Sequence, residues 1–362
     1  MYTKWMRAFA LMVVIVGTAI LAHADTGVPI PVLIYAARDI TPNSYQVTPV
    51  TINDSGDVLL DATPSHSDKR VTCLFTKGHL TKVKHPDNIS IWGLTNKDDL
   101  FGLLQKTNGT DGPTFPVLLS QGHVIRLSPK GYTGDCTASG LGGLLVGSSQ
   151  SSSSAAPKQK ADSINGIGSP TIWHPGAAPE FLPTLSDGEG FQALSTSAGG
   201  SIILGIGFKD GSQRPMYWHL VNKVWKADWI TPASGFTGEA VGVSPSTGLI
   251  VGHAPDPTSK IGQVPVYWKG QVANELPAIS AKATAVAATD SGMIVGEDGK
   301  QPVIWLRIKG DYTGIVPTVN LKPGWIFDHV CGINARGQIL ITALKGDQVH
   351  AFILESAMTA KS

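Results

Sequence analysis

The chain has few charged residues and no disulfide framework. Only 15% of its 362 residues are charged, whereas soluble domains average about 25%. The 28 basic and 27 acidic residues leave a formal net charge of +1, so the strongly basic surface typical of a nucleic-acid-binding protein is missing. Its three cysteines, Cys73, Cys136 and Cys331, share no C-x-x-C spacing. They give no support to a metal site and are expected to be buried free thiols.

No apolar run is as long as a membrane span, which needs roughly 20 residues. The longest run, Ala8 to Leu21, follows two basic residues and precedes Ala22-His23-Ala24, which has the small-x-small pattern of a cleavage site. The sequence therefore predicts a signal peptide over residues 1–24. We expect the mature chain, residues 25–362, to have no membrane span and to be exported to the periplasm or the extracellular medium.

Established catalytic motifs are also absent. The sequence contains no H-E-x-x-H, no G-x-S-x-G and no Walker-type loop. Five histidines lack the close spacing of a metal site built on one element: His174, His219, His253, His329 and His350. Several acidic residues could pair as acid and base, but their spacing does not show which approach one another: Glu189, Glu239, Asp290, Asp298, Asp311, Asp328 and Asp347. We predict no catalytic residue, no metal and no cofactor.

What the sequence does contain is an internal repeat. One part of each copy is a turn followed by an apolar run, as in G-L-I-V-G from Gly248 and G-M-I-V-G from Gly292. A second signature, often Pro-x-(Ile/Tyr)-Trp, ends at seven positions: Phe75, Leu119, Trp173, Trp218, Trp268, Trp305 and Leu354. These positions recur about every 46 residues, which is the length of a propeller blade.

The repeat predicts an all-β, seven-bladed β-propeller with four antiparallel strands in each repeat, from about residue 45 to about residue 357. Six or eight blades remain alternatives because the second and third copies are degenerate. The last copy lacks a fourth strand, and V-P-I-P-V-L-I-Y from Val28 is similar to half of a unit. We therefore expect this N-terminal strand to pair with the C-terminal repeat and close the ring, which removes an unpaired edge.

The unit G-I-N-A-R-G-Q-I-L followed by His350-Ala351-Phe352 resembles the HAF repeat of bacterial exported repeat proteins. The resemblance covers nearly the whole mature chain, but the other six copies have Pro-x-(Ile/Tyr)-Trp or an apolar triplet in place of His-Ala-Phe. It implies an exported, propeller-like bacterial protein and carries over no catalytic residue.

The repeated tryptophans have two interpretations. They could form a platform for carbohydrate, or they could fill the space between blades, and large rings at one fixed strand position favour packing. The same alternatives apply to the tryptophan-dense stretch with Trp218, Trp225 and Trp229, where we also favour packing because tryptophan is mostly buried.

Glycine-flanked aromatic residues in the connections between blades are the best candidates for ligand contacts. They are Tyr132, Phe236, Trp325 and Phe327. A Ser-rich insertion, residues 148–168, should project from the same face as a flexible loop. Aromatic side chains beside such a loop are typical of a binding site.

These observations favour an exported, monomeric, non-enzymatic binding propeller whose ligand is a glycan or a protein of the envelope or host. A secreted polysaccharide hydrolase or lyase with carboxylates at the channel mouth is the first alternative. A structural subunit of an envelope assembly, which would show an exposed apolar patch and no pocket, is the second.

Overall fold

The computed structural model describes residues 30–41, 45–65, 69–106, 113–139, 143–151, 168–197, 200–230, 239–244, 247–255, 263–277, 279–280 and 282–356. Their regular structure consists of β-strands only, as predicted, and we name these β1 to β30 in chain order. None of these residues forms a helix with the length and hydropathy that crossing a membrane requires. The predicted signal peptide, residues 1–24, lies outside the described residues.

The first three blades follow one another along the chain, while strand β1 (Ile34–Asp39) belongs to the last blade. Blade 1 contains β2 (Tyr45–Ile52), β3 (Val58–Pro64), β4 (Val71–Thr76) and β5 (His79–Lys82). Blade 2 contains β6 (Ile89–Leu94), β7 (Leu100–Gln105), β8 (Thr114–Ser120) and β9 (His123–Arg126). Blade 3 contains β10 (Tyr132–Gly134), β11 (Ala138–Ser139), β12 (Leu145–Ser151), β13 (Ser169–Trp173) and β14 (Glu180–Phe181).

Four further blades complete the ring. Blade 4 contains β15 (Glu189–Thr196), β16 (Ile202–Lys209), β17 (Ser212–Val221) and β18 (Val224–Trp229). Blade 5 contains β19 (Glu239–Val243), β20 (Ile250–Pro255), β21 (Gln263–Lys269) and β22 (Val272–Glu275). Blade 6 contains β23 (Ala283–Ala288), β24 (Ile294–Asp298), β25 (Gln301–Ile308) and β26 (Asp311–Ile315). Blade 7 contains β27 (Thr318–Asn320), β28 (Ile326–Ile333), β29 (Ile339–Lys345) and β30 (Gln348–Ser356), together with β1.

The seven sheets form a seven-bladed β-propeller, which confirms the predicted fold and rules out six or eight blades. The first strand of each blade contacts the first strand of the next, and β28 of blade 7 contacts β2 of blade 1. First strands therefore surround the central channel. The connections between blades and the turns between second and third strands lie on one face, called the connection face. The remaining turns lie on the opposite face.

The chain ends close the ring as predicted. Strand β1 pairs antiparallel with β30, from Tyr35 opposite Ser356 to Asp39 opposite Phe352. Side chains reinforce this pairing, since Asp39 Oδ2 lies 3.0 Å from His350 Nδ1. The structure adds one strand to the prediction, because β27 pairs in parallel with β1 and covers its outer edge. The last blade therefore has five strands and no long unpaired edge.

The four repeated tryptophans lie on the third strands of blades 3 to 6 and are at most 1% exposed, which confirms packing: Trp173, Trp218, Trp268 and Trp305. Two of the indole N–H groups have a similar partner, a backbone oxygen in the connection that enters their own blade. Trp305 Nε1 donates to Pro277 O at 2.8 Å, and Trp218 Nε1 donates to Pro183 O at 2.7 Å. Each of these rings thus fills a blade core and fixes the chain that leads into the blade.

The local geometry explains both glycines of the repeated G-M-I-V-G motif. Gly292 has φ of 82°, a left-handed conformation that suits glycine in a tight turn. Gly296, in the second strand, has no such φ, but a Cβ atom there would lie 1.9 Å from Thr284 O of the first strand. Gly102 of blade 2 shows the same 1.9 Å approach to Ser90 O. Close contact between first and second strands therefore requires this glycine.

Blade 3 departs from the regular pattern because its first strand is divided into β10 and β11. Asp135 lies in the gap, where its Oδ1 accepts a hydrogen bond from Ser148 N at 2.6 Å and its backbone O accepts one from Trp173 Nε1 at 2.7 Å. The predicted insertion starts later than expected, because β12 continues to Ser151 and Ser148 is buried. Residues 152–167 of that insertion lie outside the described residues.

All three cysteines are free thiols. Cys73 and Cys136 are buried, as expected from the sequence, whereas Cys331 is partly exposed on the first strand of blade 7. Burial nevertheless raises the pKa of Cys331 to about 12, with the nearby Glu297 and Asp328 acting in the same direction. These thiols are therefore protonated and unreactive at neutral pH.

The indole hydrogen bond can be tested with Trp305→Phe, which removes the donor to Pro277 O and part of the ring. We expect the free energy of unfolding to fall by about 1–3 kcal/mol, measured by urea titration. Trp92→Phe is the control, because Trp92 is 42% exposed and should tolerate the change. Equal losses in the two variants would contradict the role given to the buried indole.

Asp135 generates a pH-dependent prediction. Burial raises the pKa of this carboxyl, although its hydrogen bonds to Ser148 oppose the shift. Because the folded-state pKa lies above the unfolded one, the ionised carboxylate destabilises the fold at neutral pH, and stability is recovered as pH falls through the folded pKa. Asp135→Asn should therefore raise the melting temperature at pH 7, and the gain should shrink near pH 4. The exposed Asp311→Asn controls for the lost charge, and a gain independent of pH would contradict this explanation.

Candidate functional site

The structure separates the predicted ligand contacts. Tyr132 lies in blade 3, with its ring 6.2 Å from the ring of Phe181. Trp325 is half-buried in blade 7, and Phe327 of the same blade is only 8% exposed. Blades 3 and 7 are not neighbours in the ring, and Phe236 lies outside the described residues. The structure thus brings Trp325 and Phe327 together but not Tyr132, and their role in binding stays a prediction.

The contacts of Trp325 show how it is oriented. Its ring lies 4.3 Å from the His350 ring and 5.4 Å from the Phe352 ring, measured between centroids. Lys345 Nζ lies 5.9 Å from the same ring. Trp325 and Phe327 pack against the same hydrophobic cluster of blades 6 and 7. Much of the Trp325 indole therefore packs against described residues of blade 7, the blade that closes the propeller.

The tryptophan-dense stretch of blade 4 also packs. Trp218 is fully buried, and Trp225 and Trp229 lie against the same hydrophobic cluster. Trp229 Nε1 donates a hydrogen bond to Asp187 Oδ1 at 3.0 Å. This arrangement confirms the packing interpretation for the stretch.

One predicted acidic residue does approach a second carboxylate, at the channel mouth on the connection face. We call Glu297, Asp328 and His329 the acid–histidine cluster. Glu297 Oε2 of blade 6 lies 3.3 Å from His329 Nδ1, and Asp328 Oδ1 of blade 7 lies 3.6 Å from His329 Nε2. Both carboxylates contact one imidazole, so they lie within about 10 Å of each other, the range that glycosidase carboxylates span.

A strand irregularity produces the acid–histidine cluster. The register between β28 and β29 shifts between Phe327 and His329, so Asp328 is an additional residue in the first strand. Asp328 Oδ2 accepts a hydrogen bond from Thr342 Oγ1 at 2.9 Å, and Glu297 Oε2 accepts one from Val330 N at 3.1 Å. The sequence indicated Asp328 as a candidate but not Glu297. In the described part of the chain, no group of three or more His, Cys, Asp or Glu side chains has the geometry to hold a metal ion.

A cavity lies on the opposite face, between blades 5 and 6. We call it the blade 5–6 pocket, and it encloses about 270 Å³. Turns of both blades and the ends of their third strands form its walls. The lining residues are Thr247, Gly248, Leu249, Tyr267, Trp268, Lys269, Gly270, Asp290, Ser291, Gly292, Arg307 and Tyr312.

Two phenol rings form the central wall of the blade 5–6 pocket. Tyr267 of blade 5 and Tyr312 of blade 6 meet edge to face, with ring centroids 4.9 Å apart. Burial raises the pKa of Tyr312, and the nearby Arg307 partly offsets that shift. Tyr312 therefore keeps its proton at neutral pH, and its hydroxyl can donate or accept a hydrogen bond.

The pocket exists because one repeat position differs between blades. The residue before each repeated tryptophan faces the fourth strand of the next blade, where Ile172 shares a hydrophobic cluster with Trp225 and Ile304 shares one with Tyr35. Tyr267 replaces isoleucine at this position and faces Tyr312. Two phenol hydroxyl groups therefore meet at this junction, whereas Ile304 with Tyr35 has one and Ile172 with Trp225 has none, so this junction is more polar.

The blade 4–5 junction shows that a tyrosine at this position does not form the same site by itself. Tyr217 precedes Trp218 in blade 4. Burial raises the pKa of its hydroxyl, and the nearby side chain of Gln271 partly offsets that shift. Gln271 lies in the turn before β22, at the position that Tyr312 has in blade 6. The second aromatic ring therefore distinguishes the blade 5–6 pocket.

Charged side chains at the pocket are mostly basic. Lys269 and Arg307 are exposed at its rim, and neither forms an ion pair with another described residue. Asp290 is the acidic residue among the lining residues, and its Oδ1 accepts a hydrogen bond from Thr247 N at 3.2 Å. The described lining thus carries two cations and one anion.

Sequence reasoning missed this pocket although a signal was present. The signal is the variable position of the signature Pro-x-(Ile/Tyr)-Trp, in which the sequence alone indicated a role only for the tryptophan. Tyrosine instead of isoleucine at position 267 was the informative deviation. Its partner Tyr312, in D-Y-T-G, had no repeat signature that would have placed it opposite Tyr267.

Comparison with known proteins supports the fold and nothing finer. No protein-family model matches the chain, and no curated protein matches it by sequence. An oligogalacturonate lyase in complex with manganese is similar in structure, with a TM-score of 0.57, 11% identity, and coverage of 91% of this chain and 98% of the lyase. The oligogalacturonate lyase of Vibrio parahaemolyticus has a TM-score of 0.53, 11% identity, and coverage of 92% and 94%.

A puromycin-hydrolysing peptidase of Mycobacterium tuberculosis is similar over one part of its length. Its TM-score is 0.51 at 10% identity, with coverage of 91% of this chain and 55% of the peptidase. A prolyl endopeptidase has a TM-score of 0.50, with coverage of 88% and 47%. The chain thus spans about half the length of these peptidases. At such identities the similarity shows a seven-bladed propeller and not a shared activity.

Proposed function

We propose that this protein is an exported, non-enzymatic binding propeller that holds a saccharide in the blade 5–6 pocket. The observation that carries the proposal is the pair of phenol rings, Tyr267 and Tyr312, in a cavity of about 270 Å³. Sites for small molecules enclose about 300–1,000 Å³, so this cavity suits one or two sugar rings. A structural subunit would not require such a cavity.

The composition of the walls supports a saccharide as the ligand. Sugars have apolar ring faces and many hydroxyl groups, so their sites combine aromatic surface with hydrogen-bonding groups. Tyr267 offers a half-buried ring and Tyr312 a protonated hydroxyl. Lys269 and Arg307 at the rim are additional donors.

Export is part of the proposal and rests on residues 1–24. Expression in a bacterial host should yield a mature chain that begins at Asp25 and is recovered outside the cytoplasm. Intact mass measurement and cell fractionation test this expectation. A full-length chain retained in the cytoplasm would contradict it.

Binding can be followed through intrinsic fluorescence, because Trp268 lines the pocket. We expect titration of the purified chain with envelope and host oligosaccharides to give a saturable change in tryptophan emission. Tyr267→Ile should weaken binding at least tenfold by removing the ring, and it should preserve the fold because isoleucine occupies this position in blades 3 and 6.

Tyr217→Ile is the matched control, since it makes the same change one blade earlier, outside the pocket. Loss of binding in Tyr267→Ile alone supports the proposal. Equal binding by both variants, or no saturable response to any oligosaccharide, would refute a saccharide site in this pocket.

The acid–histidine cluster supports a second candidate function, a polysaccharide hydrolase or lyase acting at the channel mouth. Two carboxylates flank one imidazole there, an arrangement that can supply a general acid and a general base. New reducing ends released from a polysaccharide by the purified chain, and lost in Glu297→Gln, would support it. Saccharide binding without new reducing ends would favour the binding propeller.

A further inference from the structure

We propose that the blade 5–6 pocket selects saccharides that carry a carboxylate, such as uronic acids. This inference rests on the proposed saccharide site and adds the chemical class of its ligand. It follows from the charges at the pocket, which the aromatic walls alone do not determine.

The first step is the charge balance. Lys269 ends the third strand of blade 5, and Arg307 lies on the third strand of blade 6, so the two cations reach the pocket from different blades. Neither has an acidic partner among the described residues. Asp290 Oδ1 is used within the protein by Thr247 N. A ligand with one negative charge would therefore complement the excess positive charge of the described lining.

The second step is the placement of Arg307. Its guanidinium carbon lies 5.2 Å from the centroid of the Tyr312 ring. A contact of this kind orients the guanidinium and leaves N–H groups at its edge for other acceptors. Two parallel N–H groups of arginine match the two oxygens of a carboxylate. Arg307 is thus positioned at the pocket rim to bind a carboxylate of a sugar whose ring contacts Tyr267.

The third step concerns the strength of the interaction. Lys269 and Arg307 are exposed, so water and salt screen their charges, and the gain from a ligand carboxylate is moderate. The adjacent tyrosine rings exclude part of that water. We expect a carboxylate-bearing sugar to bind about tenfold more tightly than its neutral counterpart at low salt, and the difference should shrink as the salt concentration rises.

The experiment compares matched trisaccharides of gluco, galacto and manno configuration. Each is used as the uronic acid, as its methyl ester and as the neutral sugar of the same linkage. Affinity for the full chain is measured by tryptophan fluorescence and by calorimetry at 20 and 500 mM salt. The methyl ester separates the effect of the charge from that of the additional carbon and oxygen atoms.

Two charge variants test which residues are responsible. Arg307→Gln should remove most of the preference for the acid and weaken binding of the neutral sugar much less, because the substituted amide still donates hydrogen bonds but carries no charge. Lys269→Gln should reduce the preference. Lys223→Gln is the matched control, because Lys223 is an exposed cation in a turn of blade 4 on the same face. We expect Lys223→Gln to change neither the affinity for the uronic acid nor the affinity for the neutral sugar.

The outcomes separate this inference from the proposed function. If a uronic acid binds more tightly than its neutral counterpart, and this preference depends on salt and is lost in Arg307→Gln, the result supports both the saccharide site and its carboxylate preference. Equal binding of acid, ester and neutral sugar, abolished by Tyr267→Ile, overturns the carboxylate preference and leaves the saccharide site intact. Absence of binding by every trisaccharide in all three configurations overturns both.

Discussion

The contact between the third-strand aromatic residue and the connection entering its blade is the interaction on which the rest of the propeller depends. A single blade cannot bury its hydrophobic faces alone, and in blades 3 to 6 a buried tryptophan of the third strand fills the core. The Trp305 indole fills the core and donates a hydrogen bond to Pro277 O, in the connection from the preceding blade. One side chain therefore sets both the packing inside a blade and the path between blades.

In blades 3 to 6 the third-strand tryptophan is constant, whereas the residue before it is either isoleucine or tyrosine. Isoleucine there seals the junction with the next blade, as with Ile172 and Ile304. Tyrosine there makes the junction polar, and a second tyrosine opposite it forms the wall of a pocket. The same scaffold thus accommodates structural junctions and a candidate binding site through changes at one repeat position and its partner.

The fold could be predicted from the sequence, because the repeat directly reflects blade geometry. The glycine of I-V-G, the third-strand tryptophan and the missing fourth strand each correspond to a physical requirement that can be recognised locally. The candidate site could not be predicted in this way. Tyr267 and Tyr312 meet across two blades, and Glu297 reaches His329 only because a register shift displaces Asp328. Contacts of this kind depend on how neighbouring sheets are oriented, and the spacing of residues along the chain does not reveal that orientation.

Closure of the last blade also has a consequence for the order in which the protein can fold. Strand β1 is made first, but its antiparallel partner β30 is the last strand of the described chain. Six blades can therefore form from local segments while β1 remains without a partner, and the ring acquires its final contacts only when the C-terminal strand is present. Loss of strand β30 (Gln348–Ser356) would thus deprive β1 of its antiparallel partner and leave the seventh sheet open.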